Sequence, residues 1–202
     1  MKGEHVNRIV NDDALDLLFR KARTHRKWRP EPVTRQMLMA AYDLMRWGPT
    51  TNNTSPARIV FIVSQTAKER LRPHLNQGNI EQTMLAPATA ILAYDLQFFE
   101  MMPKLSSNPN AKQSWSERTP AELHEHAFRN GSLQAGYFIM AARALGLDSG
   151  PMSGFDNAGV DREFFMGTAI KSNLLCNLGY GDETSLRPRA GRLDFDEACR
   201  IL

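Results

Sequence analysis

A chain of 202 residues, 42% hydrophobic and 23% charged, with 13 glycines and 11 prolines, has the make-up of an ordinary folded protein, and collagen-like, disordered and disulfide-dense classes are excluded. At this length one unit over residues 1–202 is expected, able to bury roughly 70% of its unfolded surface. The 25 basic and 22 acidic residues leave a net charge of +3, and the cations are spread along the chain. That suits small anionic ligands and gives no footprint for nucleic acid.

The opening MKGEHVNRIVNDD is too polar for a secretory signal. Residues 12–23 carry Ala14, Leu15, Leu18, Phe19 and Ala22 at helical spacing behind Asn11 or Asp12 as cap. A second helix is expected from Thr34 to about Trp47, stopped by Gly48-Pro49. ARIVFIVS (57–64) is short and β-branched and reads as a buried strand. Thr66-x-x-Glu69 then suggests a capping box for a short helix ending near Pro73, and ATAILAY (88–94) a second strand. From 95 to 117 prolines, serines and asparagines break the pattern, which predicts an irregular excursion or lid. Thr119-Pro120-Ala121-Glu122 opens a long helix to Leu145 with Gly146 as stop, apolar nearly all round in its second half. SNLLCNLGY (172–180) reads as a third strand, followed by a Gly- and Arg-rich loop (179–192) and a final helix from about Asp194. The sum is α+β, with excess apolar helix surface that favours a homodimer.

Cys176 and Cys199 form no C-x-x-C pair and lie among apolar residues, so both are expected as buried, reduced thiols. No apolar run approaches the ~20 residues of a membrane span. A cytoplasmic protein without membrane or nucleic-acid partners follows. Neither standard nucleotide-binding glycine loop is present: Gly179-Tyr180-Gly181 lacks the third glycine. His124 and His126 are two apart on a helix, hence about 200° apart, and cannot face one metal. No metal is expected.

Four polar segments remain. Arg23-Thr24-His25-Arg26-Lys27-Trp28 puts cations and a hydroxyl at a helix end, where they also complement the helix dipole. Residues 48–56, GPTTNNTSP, crowd hydroxyl and amide side chains between two prolines, as a ligand loop or a plain surface turn would. Ser149 to Asp156, SGPMSGFD, reads as a loop whose glycines let backbone N–H groups approach a flat ligand, or as a simple turn. Arg187-Pro188-Arg189-Ala190-Gly191-Arg192 offers three guanidinium forks with no acid between them, suited to a phosphate or to solvent.

Taken in order and spacing, these segments resemble the flavin-dependent nitroreductase family. Arg23-Thr24-His25 is similar to its N-terminal R-x-S loop, Pro49 to Pro56 to its P-S-S-x-N-x-Q-P loop, Pro151-Met152-Ser153-Gly154 to its P-I-x-G loop, and Arg189 with Arg192 to its late basic pair. Asn79, shortly before the second strand, also fits. Within the family the strings KARTH, NGSLQ, GLDSGPMSGFD, KSNLL and LGYGD resemble the RutE-type malonic semialdehyde reductases of pyrimidine degradation. Departures fall at His25, Ser55, Ala57 and Ser153, positions that tune substrate more than cofactor.

The resemblance implies a nitroreductase-like fold, with a small, mostly antiparallel central sheet surrounded by helices, in an intertwined homodimer with FMN at the subunit interface. Arg23, Arg189 and Arg192 would hold the phosphate, and Lys27 would reach the N1/O2 edge of the ring. Thr24, His25 and Pro49 belong to the same loops. Thr50, Thr51 and Asn53 of the partner chain would bond the ribityl chain and pyrimidine edge, which Asn79 would join. Backbone N–H groups at Ser153 or Gly154, after Pro151 and Met152, would face N5. NADH or NADPH supplies hydride, and an aldehyde such as malonic semialdehyde accepts it; nitroaromatics or quinones are the alternative acceptors, and a flavin-binding protein without turnover is the alternative of another class. Arg26, Arg58 or a residue of the 95–117 excursion would meet a substrate carboxylate. The catalytic proton donor is unassigned, with His25 as a candidate.

Overall fold

The computed structural model describes residues 9–202, so most of the polar opening segment lies outside the described residues. The order of elements is α1 (Asp12–Leu15), α2 (Arg35–Met45), β1 (Ala57–Ile62), α3 (Gln65–Leu71), α4 (Gln77–Leu85), β2 (Ala88–Asp95), α5 (Met102–Leu105), α6 (Ala111–Ser116), α7 (Pro120–Ala144), β3 (Asp148–Met152), α8 (Asn157–Phe164), β4 (Ile170–Gly179) and α9 (Phe195–Ala198). The strands form one antiparallel sheet in the order β1-β2-β4-β3, with Ala57 opposite Tyr94, Ala88 opposite Leu178 and Asp148 opposite Gly179.

Alternation along the strands builds a core on each face. Ala88, Ala90 and Leu92 of β2, with Cys176 and Leu178 of β4, pack against Leu38, Ala41 and Met45 of α2 and Ala135, Phe138 and Ala142 of α7. Ile91, Ala93 and Leu175 point the other way, onto Leu71, Leu75, Phe155, Val160 and Phe165. The long helix lies close to the sheet because its inner residues are small. A Cβ on Gly131 would stand 2.8 Å from the Tyr94 Cβ, and one on Gly48 would fall 2.1 Å from the Tyr137 ring. Its start is fixed as the sequence predicts: Thr119 Oγ1 accepts from Glu122 N while Glu122 accepts from Thr119 N, with Pro120 in the first turn.

Several expectations are corrected. The helix after β1 is capped by Ser64, whose hydroxyl accepts from Ala67 N at 3.2 Å, and Thr66 is inside it. The first helix does not run to residue 23: α1 passes into a π-helical turn at Asp16–Arg20. The 149–152 stretch is an edge strand, not loop; Gly150 and Pro151 disguised it, and proline is tolerated there because an edge needs no second row of N–H donors. Helices α4 and α8 were not anticipated, since their apolar spacing is interrupted by Gln82, Asp161 and Arg162. The 95–117 excursion is helical rather than irregular. Its short helices enclose a satellite core in which Phe98 and Trp115 pack on His126, with ring centroids 4.9 and 4.1 Å away. Cys176 is buried as expected, whereas Cys199 is exposed.

Candidate functional site

The segment after the first helical turns passes beside the start of β3: Thr24 bridges Ser149 in parallel, and His25 N donates to Ser149 O at 3.2 Å. The C-terminal loop returns to the same place. Arg189 donates to Ala22 O at 2.9 Å, and Arg23 donates to Arg187 O. Between them is a cavity of about 270 Å³ walled by Arg23, Arg26, Arg143, Arg187, Arg189 and Arg192, together with Thr24 and Ser185 and without a carboxylate. Six guanidiniums repel one another in a pocket with no acid, so the arrangement favours an anion whose charge they share. Arg143 comes from the last turn of α7. Its Nη1 donates to Leu18 O at 2.9 Å, while its Nε is buried without a partner among the described residues, as is Ser149 Oγ on β3. Burial pulls the Arg143 guanidinium below its ordinary pKa, with Arg189 adding to that pull.

His25 is not on the wall of this cavity. It is 3% exposed, with Nε2 3.3 Å from Asp148 Oδ1, and a Cβ on Gly181 would fall inside its ring. The imidazole therefore braces the Thr24 segment against β3 and the 181 turn, and the proton-donor candidacy is withdrawn. Lys27 is exposed, and its carbonyl accepts from Asp182 N.

At the far end of β3 the chain leaves the sheet through Pro151, Met152, Ser153 and Gly154. Ser149 to Ser153 is four residues of strand, about 13 Å. Ser153 is exposed, and Gly154 O accepts from Asn79 Nδ2 at 2.7 Å and from Asn76 N at 3.1 Å. Asn79 Oδ1 in turn accepts from Gln82 at 2.6 Å, so this amide clamps the 153–154 loop onto α4. A Cβ on Gly154 would stand 2.6 Å from Asn79 Nδ2, which leaves no room for a side chain.

The third loop is elsewhere. Residues 48–56 lead into β1, at the opposite edge of the sheet from β3, roughly 14 Å away across three strand spacings. Asn52, Asn53 and Ser55 have φ of 52, 56 and 42°, left-handed conformations that outside ties must hold. Thr51 N donates to Asn130 Oδ1 at 2.8 Å, Asn53 Nδ2 to Leu105 O at 3.0 Å, and Ser55 N to Thr50 Oγ1 at 3.2 Å. Thr54 Oγ1 is 2.9 Å from His126 Nε2. Pro49, Thr51 and Asn53 are exposed. One copy of the chain thus unites Arg23, Thr24, Arg189 and Arg192 around the cavity and links Asn79 to Gly154, but holds Thr50, Thr51 and Asn53 apart from both. Of the carboxylate partners considered, Arg26 lines the basic cavity, whereas Arg58 is taken by Asp95 at 2.8 Å. Arg143 was missed because in sequence it is one cation at a helix end; only the packing of α7 brings it here.

An antiparallel four-stranded sheet wrapped by helices, with an arginine cavity at one end of an edge strand, defines an α+β protein with a strongly cationic pocket. Residues 19–181 match the Nitroreductase family, and the chain belongs to it. Similar solved structures share the fold at low identity. The candidate nitroreductase ydfN of Bacillus subtilis has a TM-score of 0.83 at 20% identity, covering 95% of this chain and 100% of its own. A candidate nitroreductase in complex with FMN from Exiguobacterium sibiricum scores 0.83 at 14%, covering 98% and 100%. A candidate NAD(P)H:FMN oxidoreductase of Staphylococcus epidermidis scores 0.81 at 18%, covering 98% and 99%. Among the described residues no helix is long and apolar enough to cross a membrane.

Proposed function

We propose that residues 1–202 act as one FMN-binding unit of a homodimeric, cytoplasmic NAD(P)H oxidoreductase that reduces a small aldehyde, malonic semialdehyde to 3-hydroxypropanoate being the favoured reaction. The observation that carries the reading is the acid-free arginine cavity set about 13 Å along β3 from the exposed Ser153–Gly154 backbone. A phosphate at one end and a ring at the other suit a flavin mononucleotide. The printed names of two relatives of the same fold, one in complex with FMN and one an NAD(P)H:FMN oxidoreductase, support the same cofactor.

In this reading Arg23, Arg189 and Arg192 hold the phosphate through charge-assisted hydrogen bonds, with Thr24 beside them. Lys27 places positive charge at the N1/O2 edge, and His25 keeps the segment on β3. Pro151 and Met152 aim the Ser153 and Gly154 N–H groups at N5, and Asn79 keeps that loop closed against α4. Pro49, Thr50, Thr51 and Asn53 come from the partner, because the opposite sheet edge of the same chain is out of reach. A bound FMN would supply the hydride-transfer chemistry between NADH or NADPH and the acceptor. The protein supplies orientation, charge and exclusion of water.

The test is reconstitution. Dialysed protein should take up one FMN per chain and turn yellow; a sample that stays colourless ends the proposal. Steady-state rates with both nicotinamides and with malonic semialdehyde, a quinone and a nitroaromatic then rank the acceptors, and faster quinone or nitro turnover replaces the aldehyde with the broader reductase. Bound flavin that neither nicotinamide bleaches would mean a flavin-binding protein without turnover.

A further inference from the structure

A second cavity, of about 490 Å³, opens where the C-terminal end of β2 meets the N-terminal end of β4, between α7 and α8. Ser153 forms part of its wall, so it adjoins the loop to which the proposed function assigns hydride transfer, and the inference rests on that reading. The wall opposite is a box of three rings. Tyr94 Oη is 3.1 Å from His124 Nε2; the two rings meet edge to face at 5.7 Å; Phe128 lies parallel to His124 at 6.1 Å and edge to face with Tyr94 at 5.7 Å. Tyr94 is 5% exposed, whereas His124 faces solvent, and its Nδ1 makes no hydrogen bond among the described residues.

The other ionisable groups on this wall are Asp161 of α8 and Lys171 of β4. Asp161 accepts from Ser172 N at 2.7 Å and stands 3.4 Å from Lys171 Nζ, so their charges offset each other. Burial, and secondarily Asp161, push the Tyr94 phenol up, so it stays protonated through neutral pH. His124 is the one acid–base side chain of this wall with a ring nitrogen left open to the cavity.

The geometry points to His124 as the proton donor to a carbonyl substrate bound in this cavity, with Tyr94 as the residue that positions its ring. Reduction of a carbonyl by hydride places a negative charge on oxygen, and that oxygen needs an acid. In the imidazolium form Nε2–H donates to the Tyr94 oxygen and Nδ1–H is free for the substrate. The carbonyl carbon gains hydride, with its two electrons, from a reduced flavin. The C=O π pair moves to oxygen, which takes the Nδ1 proton. The products are an alcohol, oxidised flavin and a neutral imidazole, which bulk water reprotonates at the exposed Nδ1. The imidazolium charge also attracts a carboxylate on the substrate.

The experiment compares carbonyl reduction with reduction of ferricyanide, an acceptor of electrons alone that needs no proton. His124→Asn should lower the ratio of carbonyl to ferricyanide turnover by about 100-fold or more, and should change the pH profile of kcat/KM. Tyr94→Phe, which keeps the ring packing, should move that profile. NMR titration of the His124 ring in protein without flavin should show the same move, and added 3-hydroxypropanoate should perturb the ring. A flavin-loaded His124→Asn protein whose ratio stays within twofold of wild type overturns this assignment alone. If that variant does not fold, an unmoved His124 titration in Tyr94→Phe overturns it. A wild-type protein that takes up no flavin overturns the proposed function, and this step with it.

Discussion

Arg189 and Arg143 differ in what the fold asks of them. Arg189 is exposed, with one Nη2–H donated to Ala22 O, so its remaining donors can turn to a bound phosphate. Arg189→Ala should weaken FMN binding by about 1.5–3 kcal/mol, a rise in Kd of roughly 10- to 150-fold by fluorescence titration, because a charged partner of a dianion is lost. An unchanged Kd would move the phosphate elsewhere. The two thiols form a second contrast at this scale. Desolvation pushes fully buried Cys176 up to about 12, whereas Cys199 is open. Alkylation of the native protein near pH 8 should therefore modify one thiol, Cys199, and unfolding should release the second. Two thiols reacting at equal rates would contradict the packing of β4.

At the scale of elements, α7 organises the site: its start, its small inner residues and its last turn each do separate work. Removing its cap by Thr119→Ala should cost about 1 kcal/mol in urea unfolding. The pH dependence follows from Glu122. Hydrogen bonds from Thr119 backbone and side chain, then Arg118, hold its carboxyl below the usual glutamate range. A depressed folded pKa means that the unfolded chain binds the proton more readily. The stabilisation is therefore present above the ordinary carboxylate range and lost as pH falls through the depressed value. The stability gap between wild type and Thr119→Ala should narrow in acid, where the Thr119 hydroxyl loses its bond to the Glu122 carboxylate, and keep the part that comes from Thr119 Oγ1 accepting from Glu122 N; a gap that does not narrow would take the carboxylate out of the cap. The tie from α7 to the 48–56 loop, through Asn130 and His126, shows why the left-handed residues Asn52, Asn53 and Ser55 keep their conformation.

For the molecule as a whole, the decisive feature is the separation of the 48–56 loop from the arginine cavity by the width of the sheet. If the proposed site is shared between two copies, two crippled variants should rescue each other. Arg189→Ala and Asn53→Ala, each weak in FMN uptake alone, should regain roughly a quarter of the wild-type sites after mixed refolding, since half the dimers then carry one intact site. No gain on mixing would place the whole site in one chain.

What was legible in the sequence was local. Thr119-x-x-Glu122 fixes a helix start by contacts three residues apart, the short apolar runs 57–64 and 88–94 mark two strands, and the order of four polar loops carries the family resemblance. The edge strand at 148–152 was hidden because Gly150 and Pro151 have poor strand propensity, and only pairing with β4 overrides it. His25 stood as a candidate proton donor because burial is not a property of a residue type; the contacts that bury it, with Asp148 and Gly181, are more than a hundred residues away in the chain. Neither the gathering of six arginines nor the meeting of Tyr94 with His124 has a sequence period. Local patterns follow from backbone geometry within a few residues, whereas these sites arise where distant elements pack, and that only the tertiary structure decides.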